Sequence, residues 1–273
     1  MLRRAKTGEK FTGLASGYNG VDKHVGGFRP GEFIIMAARP SMGKTTFAMN
    51  ILRNMSMDAQ VPTLLISLEM TKEELGYKLL SMLSGQNTML LRNVALTDEE
   101  MNDIIVKHAP EMYEAKLYID DNSSMNISKI RRRARQMHRR HGIKAVVIDY
   151  IQLIRGERGI VREEQVQQIS WGLKSLAKEL KIPVIALCQL NRSAENNRDH
   201  VPTMSNLRES GSLEQDADIV ILLHRPEYYD NSVRIGQMDV IVGKNRNGPT
   251  GIATLRYDRG RNLITSLIPE IVG

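Results

Sequence analysis

Short apolar runs alternate with segments of helical periodicity along most of this chain, and that alternation constrains its fold more than any other feature. Phe33-Ile34-Ile35-Met36-Ala37, Thr63-Leu64-Leu65-Ile66-Ser67, Leu117-Tyr118-Ile119, Ala145-Val146-Val147-Ile148, Val184-Ile185-Ala186-Leu187 and Ile219 to Leu223 read as strands. Between them, Lys44 to Met57, Lys72 to Ser84, Asp98 to Tyr113, Ile127 to Arg140 and Glu163 to Leu180 read as helices. Strands with no polar face must be covered on both sides, which is the condition of a parallel sheet between two helix layers. The end of the chain differs. Met238 to Gly243 and Ile252 to Tyr257 flank Lys244-Asn245-Arg246-Asn247-Gly248-Pro249-Thr250-Gly251, which predicts a hairpin with an exposed basic tip; Leu263 to Leu267 predicts a last strand. The expected class is α/β: a mostly parallel twisted sheet flanked by helices, with an antiparallel C-terminal edge hairpin.

A chain of 273 residues buries enough surface to need no disulfide or structural metal. Residues 1–15 are charged and aperiodic and read as a linker or tail; residues 16–273 read as one domain. The lone cysteine, Cys188, sits in an apolar run and is expected in the core rather than as a reactive thiol. The basic stretch Met1 to Lys10 has no apolar segment after it, so it is not a secretory signal. No apolar stretch approaches the ~20 residues that span a bilayer. A soluble, cytoplasmic protein is expected. The net charge of +7 favours polyanionic partners without identifying one.

The strongest local signal is Ala38-Arg39-Pro40-Ser41-Met42-Gly43-Lys44-Thr45, followed by Thr46. It fits the phosphate-loop pattern G-x-x-x-x-G-K-[ST], with Ala38 in place of the first glycine. A strand precedes it and a helix follows. That arrangement gathers backbone N–H groups and a helix N-terminus around an anion. Lys44 would reach the β- and γ-phosphates, and the Thr45 hydroxyl would ligate Mg²⁺. Asp149, at the tip of an apolar strand, is the candidate for the metal-side carboxylate.

Glu69 ends the strand Thr63 to Ser67. If that strand neighbours the phosphate-loop strand, Glu69 faces the γ-phosphate as a general base; the same spacing also fits a first-turn glutamate favoured by the helix dipole. Gln189, at another strand tip, could sense the γ-phosphate through its amide or simply close the strand. The polar stretch from Asn191 to Asp216 has no clear periodicity, and a loop of that length is usually functional or mobile. Arg155 to Arg162 is a shorter loop with three arginines.

Together with Ala37 to Thr45, the segments Ser67-Leu68-Glu69-Met70, Ile148-Asp149-Tyr150-Ile151-Gln152-Leu153, Gln189-Leu190-Asn191-Arg192, Arg208-Glu209-Ser210-Gly211-Ser212, Gln215-Asp216-Ala217-Asp218 and Lys244-Asn245-Arg246-Asn247-Gly248 resemble the ordered motifs of DnaB-type replicative helicases of bacteria and their phages. The resemblance runs from about Thr12 to Leu267, and an alanine opening the phosphate loop is usual in it. It implies a RecA-like fold and a homo-hexameric ring that hydrolyses ATP with Mg²⁺ to move 5′→3′ on single-stranded DNA. It assigns Lys44 and Thr45 to phosphate and Mg²⁺, Glu69 to the base, Asp149 to the metal side and Gln189 to sensing. Arg246 becomes an arginine finger reaching the neighbouring subunit's ATP, with Lys244 beside it. Arg208, Glu209 and Gly211 become DNA contacts. Family members usually carry an N-terminal helical domain and a linker helix that serve ring assembly and primase contact. This chain starts in or just after that linker, so primase and a helicase loader are partners expected of the full-length protein.

Two rival readings share these residues: a RecA-like recombinase forming filaments, and a nucleotide-binding adaptor that does not hydrolyse. The simultaneous presence of Glu69, Asp149 and Arg246 argues against the second. The basic segment Lys129 to Lys144 carries apolar residues at helical spacing, which predicts one buried face and a solvated or subunit-facing basic remainder. The 15 methionines read as core filler, and no His/Cys cluster has zinc spacing.

Overall fold

The computed structural model describes residues 12–92, 96–156, 159–191 and 199–267, with residues 208–210 described in their backbone. The N-terminal basic stretch Met1 to Lys10, Arg158 and Arg192 lie outside the described residues.

The strands are β1 (Phe33–Ala38), β2 (Thr63–Ser67), β3 (Leu117–Asp120), β4 (Ala145–Asp149), β5 (Val184–Gln189), β6 (Ile219–His224), β7 (Gln237–Asn245), β8 (Gly251–Asp258) and β9 (Leu263–Ser266). They form one sheet in the order β3-β2-β4-β5-β1-β6-β7-β8-β9. The six strands from β3 to β6 run parallel, and β7, β8 and β9 add antiparallel. The expected sheet class holds, with the hairpin β7–β8 and the expected last strand β9 forming the antiparallel end.

Period-two geometry explains the apolar strands. In β1, Ile34, Met36 and Ala38 belong to the core on one face of the sheet, and Phe33, Ile35 and Ala37 to the core on the other. All six are at most 1% exposed, so no position could be polar without an unpaired buried group. The helices supply both covers. On the first face lie α1 (Asn19–Val25), α2 (Lys44–Arg53) and α3 (Lys72–Ser84); on the second lie α6 (Ile127–His141), α7 (Arg162–Leu180) and α8 (Gly211–Asp216). The helices α4 (Thr88–Arg92) and α5 (Asp98–Glu114) stand beside α3.

Local signals set the helix ends. At α3 the Glu74 N–H donates to Thr71 Oγ1 (3.3 Å) and the Thr71 N–H donates to Glu74 Oε2 (3.1 Å), a reciprocal cap. In α6, Ile130, Ala134 and Met137 are buried as the periodicity requires. Its basic remainder is partly paired, with Arg131 and Arg135 on Glu179 and Arg133 on Asp120.

Three expectations need correction. The helix expected over Lys44 to Met57 is α-helical to Arg53 and π-helical over Asn54–Asp58, where the Asn54 amide donates to the Ser16 carbonyl (3.0 Å). The stretch from Asn191 to Asp216 is not a loop throughout: Met204–Ser210 is 3₁₀-helical and leads into α8. Such short turns are anchored by single residues, here Leu207 and Leu213, and leave no periodic trace. Gly13 and Leu14, assigned to the tail by composition, are packed: Leu14 bridges Phe28, and a Cβ on Gly13 would lie 2.5 Å from the Gly27 carbonyl carbon.

Candidate functional site

The phosphate loop leaves the C-terminal tip of β1 and turns through two left-handed residues, Ser41 (φ 64°) and Gly43 (φ 89°). Gly43 is forced twice over. A side chain there would be strained by the backbone, and its Cβ would meet Met238 Cε at 3.0 Å and the Tyr257 ring at 3.2 Å. As the residue before α2 it offers no capping side chain, and the first turn of α2 holds no acid. The N–H groups at that end are thereby left for an anion. Two arginine contacts, one half-buried and one buried, fix the loop from outside. Arg39 Nη1 donates to the Leu190 carbonyl (2.8 Å), and Arg225 Nη1 donates to the Ser41 carbonyl (3.1 Å). Arg225 is 4% exposed, stacks over Tyr257 at 4.4 Å and is ion-paired with Glu227.

Behind the loop, Thr45 Oγ1 donates to Asp149 Oδ2 at 2.6 Å and Lys44 Nζ lies 3.6 Å from Asp149 Oδ1. Asp149 is 1% exposed, and its Oδ1 has no hydrogen-bond partner. Lys44 also sits over the Tyr150 ring at 3.9 Å. Burial pulls the Lys44 ammonium below the usual lysine range, against the opposing charges of Asp149 and Glu69. Burial first, then Glu69 and Asp149, push the Tyr150 phenol up. A buried carboxylate oxygen without a hydrogen bond, beside a threonine hydroxyl, fits a hard divalent cation held mainly by oxygen and phosphate. Among the described residues no cluster of three His, Cys, Asp or Glu could cage a metal alone.

These groups open onto a cleft of about 920 Å³ lined by Ala38, Arg39, Pro40, Ser41, Gly43, Lys44, Thr45 and Thr46, by Glu69 and Gln189, and by Lys78, Arg92, Tyr257 and Arg259. Of the expected loop, Met42 is the exception: it is 1% exposed and packs in the core. Glu69 reaches the cleft by a different route from the one expected. β2 does not neighbour β1; β4 and β5 stand between them, and Glu69 nonetheless lines the cleft. Gln189 stands beside Ala38 in the β1–β5 register. Burial raises the Cys188 thiol to about 11, as expected of a core cysteine.

Lys244 and Arg246 are not in this cleft. Asp218 exchanges backbone and side-chain hydrogen bonds with Phe33, the first residue of β1, and the Arg246 N–H donates to the Asp218 carbonyl. Arg246 therefore lies at the opposite end of β1 from Ala38, roughly 17 Å away at 3.3 Å per residue over five steps. No arginine side chain spans that distance. Its tip of the hairpin, residues 246–250, is exposed as expected. Arg208 and Glu209 lie in the 3₁₀ turn, with side chains outside the described residues, and Gly211 opens α8, exposed.

Lys78, Arg92, Arg225 and Arg259 escaped sequence reasoning. Arg225 touches Ser41 from 184 residues away, and no spacing signals such a contact.

The profile of the DnaB-like helicase C terminal domain family matches residues 13–265. The chain belongs to that family. Replicative DNA helicase DnaB of Buchnera aphidicola subsp. Baizongia pistaciae is 45% identical over 250 residues, covering 90% of this chain and 54% of that protein. Its counterpart in Haemophilus influenzae is 40% identical over 262 residues, covering 94% and 56%. The chain thus spans little more than half the length of these relatives. A solved ATPase domain superposes with a TM-score of 0.92 at 34% identity, covering 98% of this chain and 96% of that one. A DnaB-like replicative helicase solved with attention to its interactions with primase gives 0.91 at 34%, covering 98% and 65%. The RadB recombinase, at 0.57 and 18%, shares the RecA-like fold alone.

Proposed function

We propose that this chain is the motor unit of a replicative DNA helicase, hydrolysing MgATP to move 5′→3′ along single-stranded DNA within a ring of six. The packed unit begins near Gly13, where the family match also begins. The observation that carries the reading is the division of the site. Lys44, Thr45, Asp149 and Glu69 share one cleft, while Arg246 stands at the far end of the sheet.

In this reading the loop N–H groups and Lys44 would hold the triphosphate, and Thr45 and Asp149 would hold Mg²⁺. When bound, Mg²⁺ neutralises charge on the β- and γ-phosphates. Glu69 accepts the proton of the water that attacks the γ-phosphorus, as the bond from that phosphorus to the β-phosphate oxygen breaks and ADP leaves. Gln189 senses the γ-phosphate from its strand tip. Arg246 of a neighbouring subunit stabilises the charge of the transferring phosphoryl group, with Lys244 beside it, because it cannot reach its own subunit's cleft. The Arg208 side chain and the backbone N–H groups of Glu209 and Gly211 hold DNA phosphates without reading bases. A filament-forming recombinase shares the fold, but the family match favours the helicase. A carboxylate base in the phosphate cleft has no use in a non-hydrolysing adaptor. Primase and a loader are the partners this reading gives the full-length protein, working in the cytoplasm. No helix among the described residues is long and apolar enough to cross a membrane.

The test is strand displacement from forked DNA. ATP-dependent displacement that needs a 5′ single-stranded tail supports the reading; displacement that needs a 3′ tail contradicts its polarity.

A further inference from the structure

The segment Gln215-Asp216-Ala217-Asp218 has no part in the cleft, yet it touches Lys174, Lys244 and Arg246 at the far end of the sheet. α8 ends at Asp216. Its C-terminal carbonyls are held by side chains of β7 and the turn after it. Lys244 Nζ donates to the carbonyls of Glu214 and Gln215, and Arg246 Nη2 donates to the carbonyl of Gln215. Cations at a helix C-terminus satisfy its orphan carbonyls and complement its dipole. Just beyond, the Asp218 carboxylate accepts from the Phe33 N–H (2.8 Å), is paired with Lys174 of α7, and lies 3.7 Å from Arg246 Nη1. α7 also grips α8 directly, where Ser170 Oγ donates to Asp216 Oδ2 at 2.6 Å. Leu213, fully buried, anchors the helix to the core on that face.

α8 is therefore a two-ended element. Its first residue, Gly211, belongs to the segment assigned to DNA. Its last carbonyls hold the two cations assigned to the neighbour's ATP. The helix is six residues long, about 9 Å at 1.5 Å per residue, so its DNA-assigned end and its cation-holding end lie within two turns of each other. Arg246 itself is half-exposed, with its backbone N–H on the Asp218 carbonyl and its guanidinium held by the Gln215 carbonyl and the Asp218 carboxylate, so its aim follows theirs.

We propose that α8 couples DNA occupancy to the aim of Arg246, with Asp218 and the α8 carbonyls as the positioning groups. The inference rests on the motor reading above and adds the route by which DNA reaches the shared active site. A ligand at one end of a two-position element biases the other end by its differential affinity for the two positions.

The test compares Asp218→Asn with the wild-type chain. Asparagine can still accept from the Phe33 N–H but loses the charge that holds Lys174 and Arg246. Three quantities are measured: ATPase rate without DNA, ATPase rate with saturating oligo-dT, and oligo-dT affinity by fluorescence anisotropy. The inference predicts that the ratio of the two rates falls by about tenfold towards one while oligo-dT affinity stays within about twofold. Ser170→Ala, which frees α8 from α7 and touches no cation, should move the ratio the same way by a smaller factor, and it keeps the test alive if Asp218→Asn does not fold. If both rates fall together with the ratio unchanged, Asp218 and Ser170 are merely structural and the inference fails. It also fails if the ratio is lost through lost DNA binding. A wild-type ratio of one overturns the motor reading itself, and this inference with it.

Discussion

At the scale of single residues, the site separates groups whose role is local from groups whose role depends on packing. Lys44, Thr45 and Asp149 were legible because each sits at a strand tip or helix start, where chain direction alone fixes its aim. Glu69 was legible as a candidate but for an incomplete reason. Its strand lies two strands further from the phosphate loop than direct neighbourhood requires, yet Glu69 lines the cleft. Glu69→Gln keeps the size and removes the base. Turnover should fall by roughly 10²–10⁴ while ATP affinity changes little, as read by single-turnover hydrolysis beside equilibrium binding; a retained rate removes Glu69 from the mechanism. Lys44 gives a pH prediction. Burial lowers its pKa in the free protein, and bound phosphates favour the ammonium, so the bound pKa is the higher one. ATP affinity should then be full below the free-state pKa and decline as pH rises through it, beginning below the 10.5 of an ordinary lysine. Binding isotherms across alkaline pH would show this, and an affinity flat up to 10.5 would contradict it.

At the scale of elements, the strands and long helices follow from periodicity, because a face that must be dry on every second or every third-to-fourth residue writes itself into the sequence. α8 and the 3₁₀ turn before it did not, since each is anchored by a single leucine. The loop between β6 and β7 escaped for another reason: its function is a contact. Arg225 joins that loop to the phosphate loop through Ser41 and to β8 through Tyr257, with Glu227 as counter-charge. Arg225→Met keeps most of the stacking volume and strands Glu227. A loss of stability is expected from leaving the half-buried Glu227 without its counter-charge, together with weaker ATP binding from a loosened loop. Thermal unfolding and ATP titration on the same sample would read both. Unchanged ATP affinity would mean that the Ser41 contact does not set the loop.

At the scale of the whole molecule, the sheet places two halves of one chemistry at opposite ends of β1. Sequence order already placed Lys44 before Arg246, but only the register of β6 and β7 against β1 shows that they cannot meet within one chain. A site divided in this way is complete only between copies. Arg246→Ala subunits, titrated into wild-type protein, should depress ATPase more steeply than their mole fraction, because each spoils a neighbour's cleft. A loss linear in mole fraction would place Arg246 outside the shared site.

The most direct measurement is specific ATPase activity against concentration of this chain, with and without single-stranded DNA. The account predicts that activity per subunit climbs as subunits associate and rises further when DNA is added. Activity that is flat in concentration and indifferent to DNA would contradict a cleft completed by a neighbour's arginine.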